Sequence, residues 1–337
     1  MKVVQVLGGN EDGGLENHTL SLSGALAATE EVHLIAHPVF QDRAHPEVRF
    51  HVLEMTRSRR DPRLLLSLLK RLRTLQPDLI HAQGGKAMAL VGALSPWLKG
   101  TRITTVHNTG KSLKHLQRFH GVIGVSKAIT ATLPHPRAVT IYNGVALPSR
   151  SSRVELNSAR KLWPVGDEGL RWLAVGRLVA AKGFDTLIDA FSEVSGTLLI
   201  AGEGPEREAL EQRIQARELD ARVRLLGHRT DAGLLMDACD ALVISSRREG
   251  FSYVFAEALL RQCPIVSTDV PVANEVLPPE LLCPIDSPIA LARLMRELDP
   301  ESPQQLQARE MAESLALDTM VANTLRFYRQ LLDADHD

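Results

Sequence analysis

"LRWLAVGRLVAAKGFDTLIDAF", residues 170–191, decides the fold. An apolar run ends in Gly176, the cations Arg177 and Lys182 follow, and from about Phe184 apolar residues recur at helical spacing. A short run without polar alternation, then a glycine turn, then an amphipathic helix, is how a parallel strand buried on both faces hands over to its crossover helix. The carboxyl edge of such a sheet is where α/β proteins bind ligands. Two cations there, beside a helix N-terminus, form a candidate diphosphate site.

The same unit repeats in both directions. On the C-terminal side GTLLIAGEG (196–204), RVRLLGH (222–228), ALVISS (241–246) and PIVSTD (264–269) read as strands alternating with helices. On the N-terminal side the strands are VVQVLGG (3–9), VHLIAH (32–37), DLIHAQ (78–83), RITTVHN (102–108), GVIGVS (121–126) and VTIYNG (139–144). Helices are expected at 15–28 and at 62–75, where Pro62 stands near the start. The polar stretch PSRSSR (148–153) separates the two series. The pattern therefore predicts an α/β protein with two doubly wound, Rossmann-like domains, 1–148 and 149–316, facing each other across a cleft. A last helix, 317–337, either caps the second domain or crosses back to the first.

Bulk composition excludes several classes. The chain has 337 residues, 44% apolar and 23% charged, as in an ordinary soluble protein, and 337 residues favour two domains. No apolar run nears the ~20 residues of a membrane helix. MKVVQVLGG reads as a buried first strand rather than a signal peptide. Cys239, Cys263 and Cys283 lack metal spacing, and Cys239 and Cys263, in apolar surroundings, read as core thiols in a reducing cytoplasm. Aromatics are 4% and no nucleic-acid module appears, so nucleic acid is not an expected partner. The net charge of −1 conceals a split. Residues 1–150 hold 19 Lys and Arg against 10 Asp and Glu, whereas residues 151–337 hold 20 against 30. The basic first half suits an anionic partner.

Further stretches carry chemistry. GGNEDGGLENH (8–18) ends the first strand and opens a helix, and Gly13 and Gly14 let a ligand approach the backbone. It is not G-x-G-x-x-G, and no acid ends the second strand, which counts against a dinucleotide oxidoreductase. Gly227 and His228 follow another strand and are candidates to line a nucleotide pocket. In REGFSYVFAE (248–257) two acids, Glu249 and Glu257, bracket seven residues without an acid or base. Carboxylates repel phosphate but accept from hydroxyls, so the pair suggests polyol recognition, with the N–H groups of Gly250, Phe251 and Ser252 left for phosphate. RSRRDPRLLLSLLKRLR (57–73) sets seven cations around an apolar stripe. It is either a helix lying on anionic membrane or a core helix with a solvated basic face.

Taken in order, these stretches resemble the retaining glycosyltransferases of family 4, which have the GT-B fold. EDGGLENHTLSLSGAL is similar to the family's first glycine loop and helix, TVHN to its interdomain histidine segment, GVS to the serine strand and TIYNGV to the start of its linker. VGRLVAAKG resembles the diphosphate motif and EGFSYVFAE the E-x7-E signature. The resemblance implies that Arg177 and Lys182 hold the donor diphosphate, that Glu257 accepts from the ribose and that Glu249 contacts the donor sugar. It implies that Gly14 approaches the phosphate, that His107 sits near the donor sugar, and that Asn143 and Gly144 mark the hinge. His107, Arg177, Lys182 and Glu249 are the catalytic candidates; no metal and no cofactor are implied.

Ser252 departs from the pattern, since glycine or proline often holds its place, and the segment after GVSKA lacks an arginine often found there. The implied activity is transfer of a sugar from a nucleotide-diphosphate sugar, uridine being the commonest base, to a glycan or glycolipid acceptor in lipopolysaccharide or surface-polysaccharide synthesis. The expected place is the cytoplasm, with peripheral contact at the inner face of the membrane. The rivals are a sugar-nucleotide epimerase of the same fold and a non-catalytic nucleotide-sugar or glycan-binding protein.

Overall fold

The computed structural model describes residues 1–11, 13–108, 113–147, 149–164 and 169–334. Pro148, the boundary read from the sequence, and Asp335, near the end of the last helix, lie outside them. The chain divides into two compact units, Met1–Gly144 with Ala316–Asp337, and Val145–Leu315.

The first unit holds β1 (Lys2–Leu7), β2 (Glu31–Ala36), β3 (Arg49–Val52), β4 (Leu79–Gln83), β5 (Thr101–Val106), β6 (Gly121–Gly124) and β7 (Ala138–Thr140). They form one parallel sheet in the order β3-β2-β1-β4-β5-β6-β7. The second unit holds β8 (Arg171–Val175), β9 (Thr197–Ala201), β10 (Val223–Gly227), β11 (Ala241–Ile244), β12 (Ile265–Thr268) and β13 (Leu282–Cys283), parallel in the order β10-β9-β8-β11-β12-β13. Each order reverses once, between β1 and β4 and between β8 and β11. Those reversals open the crevices in which doubly wound sheets bind ligands.

The central strands do not alternate, as burial on both faces requires: β9 is buried along its whole length and β1 from Val3 onward, whereas β3 at the sheet edge is not. Trp172 of β8 lies at the centre of the second core with Phe191 and Ile200. Among the elements that escaped the sequence reading, three have a plain physical reason. The helix Gly84–Leu94 is hydrophobic nearly all round, so it has no face to detect, while β3 and the two-residue β13 are too short to show a period.

The helix Pro62–Leu75 begins where proline placement predicts, capped by Asp61, which accepts from Arg63 N at 2.8 Å. Its Leu64, Leu68 and Leu72 are core residues, so the leucine stripe faces the protein; Leu66 alone of its leucines is strongly exposed, at 65%. The last helix, Leu317–Ala334, packs in the first unit. Tyr328 is fully buried there and bonds Gln5 Nε2 at 3.2 Å and His81 Nδ1 at 2.6 Å.

Candidate functional site

The second unit places its sequence candidates on the two strands that flank the reversal. β8 delivers Gly176, Arg177 and the turn Ala180–Lys182; β11 delivers the loop from Ser245 to Ser252. Gly183 lets these meet. It sits at φ +63°, and a Cβ there would stand 2.2 Å from the Ser245 carbonyl oxygen, so a larger residue would push the loops apart. Ser245 Oγ donates to Lys182 O at 2.9 Å and completes the join.

Across that join Lys182 Nζ donates to Glu249 Oε1 at 2.5 Å. The carboxylate is 8% exposed and also accepts from Ser246 Oγ at 2.6 Å. Arg177 is exposed at the mouth of β8 and makes no ion pair among the described residues. Thus one lysine–carboxylate pair stands at the switch point, and Arg177 is exposed at the end of β8.

The helix Tyr253–Leu260 follows. Ser252 is its N-cap and accepts from Phe255 N at 3.3 Å. That gives a physical reason for serine at the departure from the family pattern: the side chain starts the helix. Glu257, in the second turn, accepts from Arg261 Nε at 3.0 Å, and Arg261 Nη1 donates to Asp237 Oδ2 at 2.8 Å. Gly250 and Phe251 are half-buried, the Phe251 ring set edge-on to Tyr253. Gly227 ends β10 and bridges Gly202, and His228 beyond it is exposed. The structure therefore gathers Lys182 and Glu249 in contact, and puts Arg177 and Glu257 on the same strand ends and helix.

In the first unit Gly13 caps the helix Gly14–Ala27 without a side chain. The sequence reading missed Glu16. Its buried carboxylate lies where a Cβ on Gly9 or Gly13 would stand, at 2.5 and 3.0 Å. The glycine turn already carries an anionic group of the chain, so a phosphate approaching Gly13 or Gly14 would meet like charge. Asn143, one of the two hinge candidates, is buried with its Oδ1 unpartnered among the described residues. Gly144 is the last residue of the first unit's long segment.

His107, just past β5, lines a cavity of about 190 Å³ with Leu15, Gly85, Met88 and Leu113. It is 9% exposed, its Nε2 lies 3.4 Å from Gln83 Oε1, and its ring stands edge-on to His18 at 4.8 Å. Burial, reinforced by His18 and His81, holds His107 well below the ordinary imidazole range, so the ring is neutral at pH 7. Burial lowers His18 to about 4 and His81 to about 3. His81 bonds Tyr328 and, through Nε2, Thr105 Oγ1 at 2.7 Å. This neutral cluster was only part visible beforehand: a histidine inside the apolar run LIHAQ is a signal, but its tyrosine partner is 247 positions away.

No helix among the described residues is long and apolar enough to cross a membrane. Two family profiles match the chain: Glycosyltransferase Family 4 over residues 12–147, and Glycosyl transferases group 1 over 169–299. An uncharacterized glycosyltransferase of Methanocaldococcus jannaschii is 26% identical over 287 residues, 79% of this chain and 78% of that protein. A lipopolysaccharide core biosynthesis glycosyltransferase of Rhizobium meliloti, LpsD, is 35% identical over 142 residues, 40% of this chain and 41% of its own. The crystal structure of Anabaena HepE in complex with UDP superposes with a TM-score of 0.84 at 21% identity, covering 98% of this chain and all of that one. The chain has the fold of the GT-B glycosyltransferases. It belongs to glycosyltransferase family 4, the group 1 glycosyltransferases.

Proposed function

We propose that this glycosyltransferase moves a sugar, with retention of configuration and without a metal, from a uridine-diphosphate sugar to a glycan or glycolipid acceptor of a surface polysaccharide or lipopolysaccharide. The observation that carries the reading is the meeting of Lys182 and Glu249 at the β8/β11 reversal, with Arg177 just past the end of β8 and Glu257 on the helix that follows the loop. Lys182 and Arg177 would take the diphosphate, Glu249 a sugar hydroxyl, and Glu257 the ribose. His107, neutral, is assigned to the reacting sugar. The choice of uridine is supported by the UDP held by the Anabaena protein, and the lipopolysaccharide setting by the name of the Rhizobium relative.

In this reaction the bond between the anomeric carbon and the diphosphate oxygen breaks, and negative charge grows on that oxygen. Two fixed cations stabilise it more as the charge develops than in the ground state, which is where electrostatic catalysis gains its rate. They supply the positive charge for which other transferases use a divalent ion. The acceptor oxygen bonds the anomeric carbon on the face the leaving group vacates, and its proton passes to the departing phosphate oxygen. Glu249, held by Lys182 and Ser246, serves as a binder rather than a nucleophile.

The test is a thermal-stability titration with UDP, GDP, ADP and their sugars in the presence of chelator, on wild type, Glu257→Ala and Lys182→Ala. Stabilisation by one base, abolished in both variants, is expected. No response from any nucleotide, or equal response in the variants, overturns the donor site. A glycolipid acceptor also suits the basic first unit. With the leucine stripe turned inward, contact with anionic membrane would rest on the cations and on Leu66. Neutralising Arg59, Arg60 and Arg63 should then abolish liposome binding; unchanged binding, or none in wild type, discards membrane contact.

A further inference from the structure

Both loops of the donor site are held by a residue outside the motifs. Arg247 precedes the E-x7-E stretch, and its guanidinium has five N–H groups. All five are used. Nη1 donates to Ala180 O at 2.7 Å and to Asp185 Oδ1 at 2.8 Å; Nη2 donates to Asp185 Oδ2 at 2.8 Å and to Thr186 Oγ1 at 3.1 Å; Nε donates to Asp286 Oδ1. The Arg247 backbone N–H adds a bond to Ala181 O at 2.8 Å.

The acceptors are not scattered. Ala180, Ala181, Asp185 and Thr186 lie on either side of Lys182 in the chain, so Arg247 grips the turn that presents the lysine from both flanks. Arg247 is itself two residues from Glu249, the lysine's partner. Asp286, the remaining acceptor, is held at φ +56°, a left-handed conformation uncommon for a residue with a side chain, and Thr186 Oγ1 also reaches it at 3.3 Å. The Asp185 contact is a bidentate fork, the geometry that a lysine cannot reproduce.

We propose that Arg247 is a positioning residue of the transferase: by clamping both flanks of the Lys182 turn to its own loop, it sets where the Lys182 ammonium stands relative to Glu249 and hence to the donor diphosphate. The proposal rests on the donor-site reading above. Arg247 touches no substrate in this account; it acts through Lys182.

That makes a double-variant comparison decisive. Affinity for UDP and for inorganic pyrophosphate is measured by calorimetry in wild type, Arg247→Lys, Lys182→Ala and the double variant, with unfolding curves alongside. Pyrophosphate reports the diphosphate contacts without the base. Arg247→Lys is expected to weaken both ligands about tenfold while still folding cooperatively, and to add nothing in the Lys182→Ala background, because residues acting as one unit are not additive. If Arg247→Lys fails to fold, Asp185→Asn, which keeps the side-chain shape and removes one charge from the fork, takes its place in the same cycle. Wild-type affinity in these variants while Lys182→Ala loses binding overturns the proposal and leaves the donor site standing. So does full additivity, which would make Arg247 a support of the fold alone. Wild-type affinity in Lys182→Ala overturns the donor-site reading itself, and the clamp with it.

Discussion

Around β1, β4 and β5 of the first unit the polar side chains His18, His81, His107, Gln5 and Gln83 are buried and uncharged. At the strand ends of the second, Lys182, Glu249, Asp185, Arg247, Glu257 and Arg261 are charged, paired and partly open, with side-chain exposures from 8 to 31%. The two units share one topology, so the difference is not imposed by the fold. On the donor site proposed above, it follows from what each edge meets. A diphosphate needs fixed charge, and fixed charge persists at low dielectric only when each ion has a counterion. Neutral imidazoles need no counterion, so they can be sealed in, at the cost of sensitivity to acid.

The largest effect should come from unbalancing the charged edge. Lys182→Ala removes the cation proposed to face the leaving group and leaves Glu249 buried with Ser246 as its remaining side-chain partner. Transfer should fall ~10²–10³-fold, about 3–4 kcal/mol of transition-state stabilisation. Initial rates with a UDP-sugar check it; a drop of less than fivefold would make the ion pair merely structural.

Acid should break the neutral edge first. His18 and His81 titrate near 4 and 3 in the folded chain and near 6.5 once unfolded. Below 6.5 the unfolded state binds protons that the native state refuses. The stability these rings contribute is thus complete above pH 6.5 and drains away as pH falls toward 4, by an amount on the order of 3 kcal/mol for each ring. Urea unfolding at pH 7 and pH 4.5 measures it. His18→Leu should lose less over that interval than wild type, and an equal loss would show that the acid response lies elsewhere.

Tyr328→Phe sharpens the same edge. It deprives His81 Nδ1 and Gln5 Nε2 of a buried partner while keeping the ring. The cost of buried polar groups left unpaired is about 2 kcal/mol, read as a lower urea midpoint with an unchanged slope.

These two edges were not equally legible in the sequence. The charged edge is written in short segments: VGRLVAAKG and EGFSYVFAE each bring their residues to one strand end, and strand order then brings the segments together. Even there, nothing in the sequence singles out Arg247, because its five acceptor atoms lie 39 to 67 positions away. The neutral edge is assembled from three strands and two helices. Glu16 over the glycine turn was missed because the motif drew attention to the glycines, whose missing Cβ atoms make room for that carboxylate. The leucines of 62–75 had two readings from periodicity alone; Leu64, Leu68 and Leu72 are core, while Leu66 and the cations Arg63, Lys70 and Arg73 stay exposed.

The second unit has a neutral thiol pair of its own, Cys263 buried and Cys239 half-buried, and it makes the smallest prediction. Cys239 Sγ lies 3.5 Å from Cys263 Sγ, just past the two helices that carry Asp237 and Glu257. The hydrogen bond to Cys263, together with burial, pushes the Cys239 thiol up, and burial alone raises Cys283 to about 11. Only a thiolate is a good nucleophile, so at pH 8 these groups should react slowly. Iodoacetamide labelling of the native protein should leave Cys239 and Cys283 almost untouched over minutes, while the urea-unfolded chain labels fully in the same time. Donor binding and transfer should be unchanged by the exposure. Rapid native labelling at Cys239 would mean that the segment between the donor-site helices opens on its own, and the second unit would then have a soft neutral edge like the first.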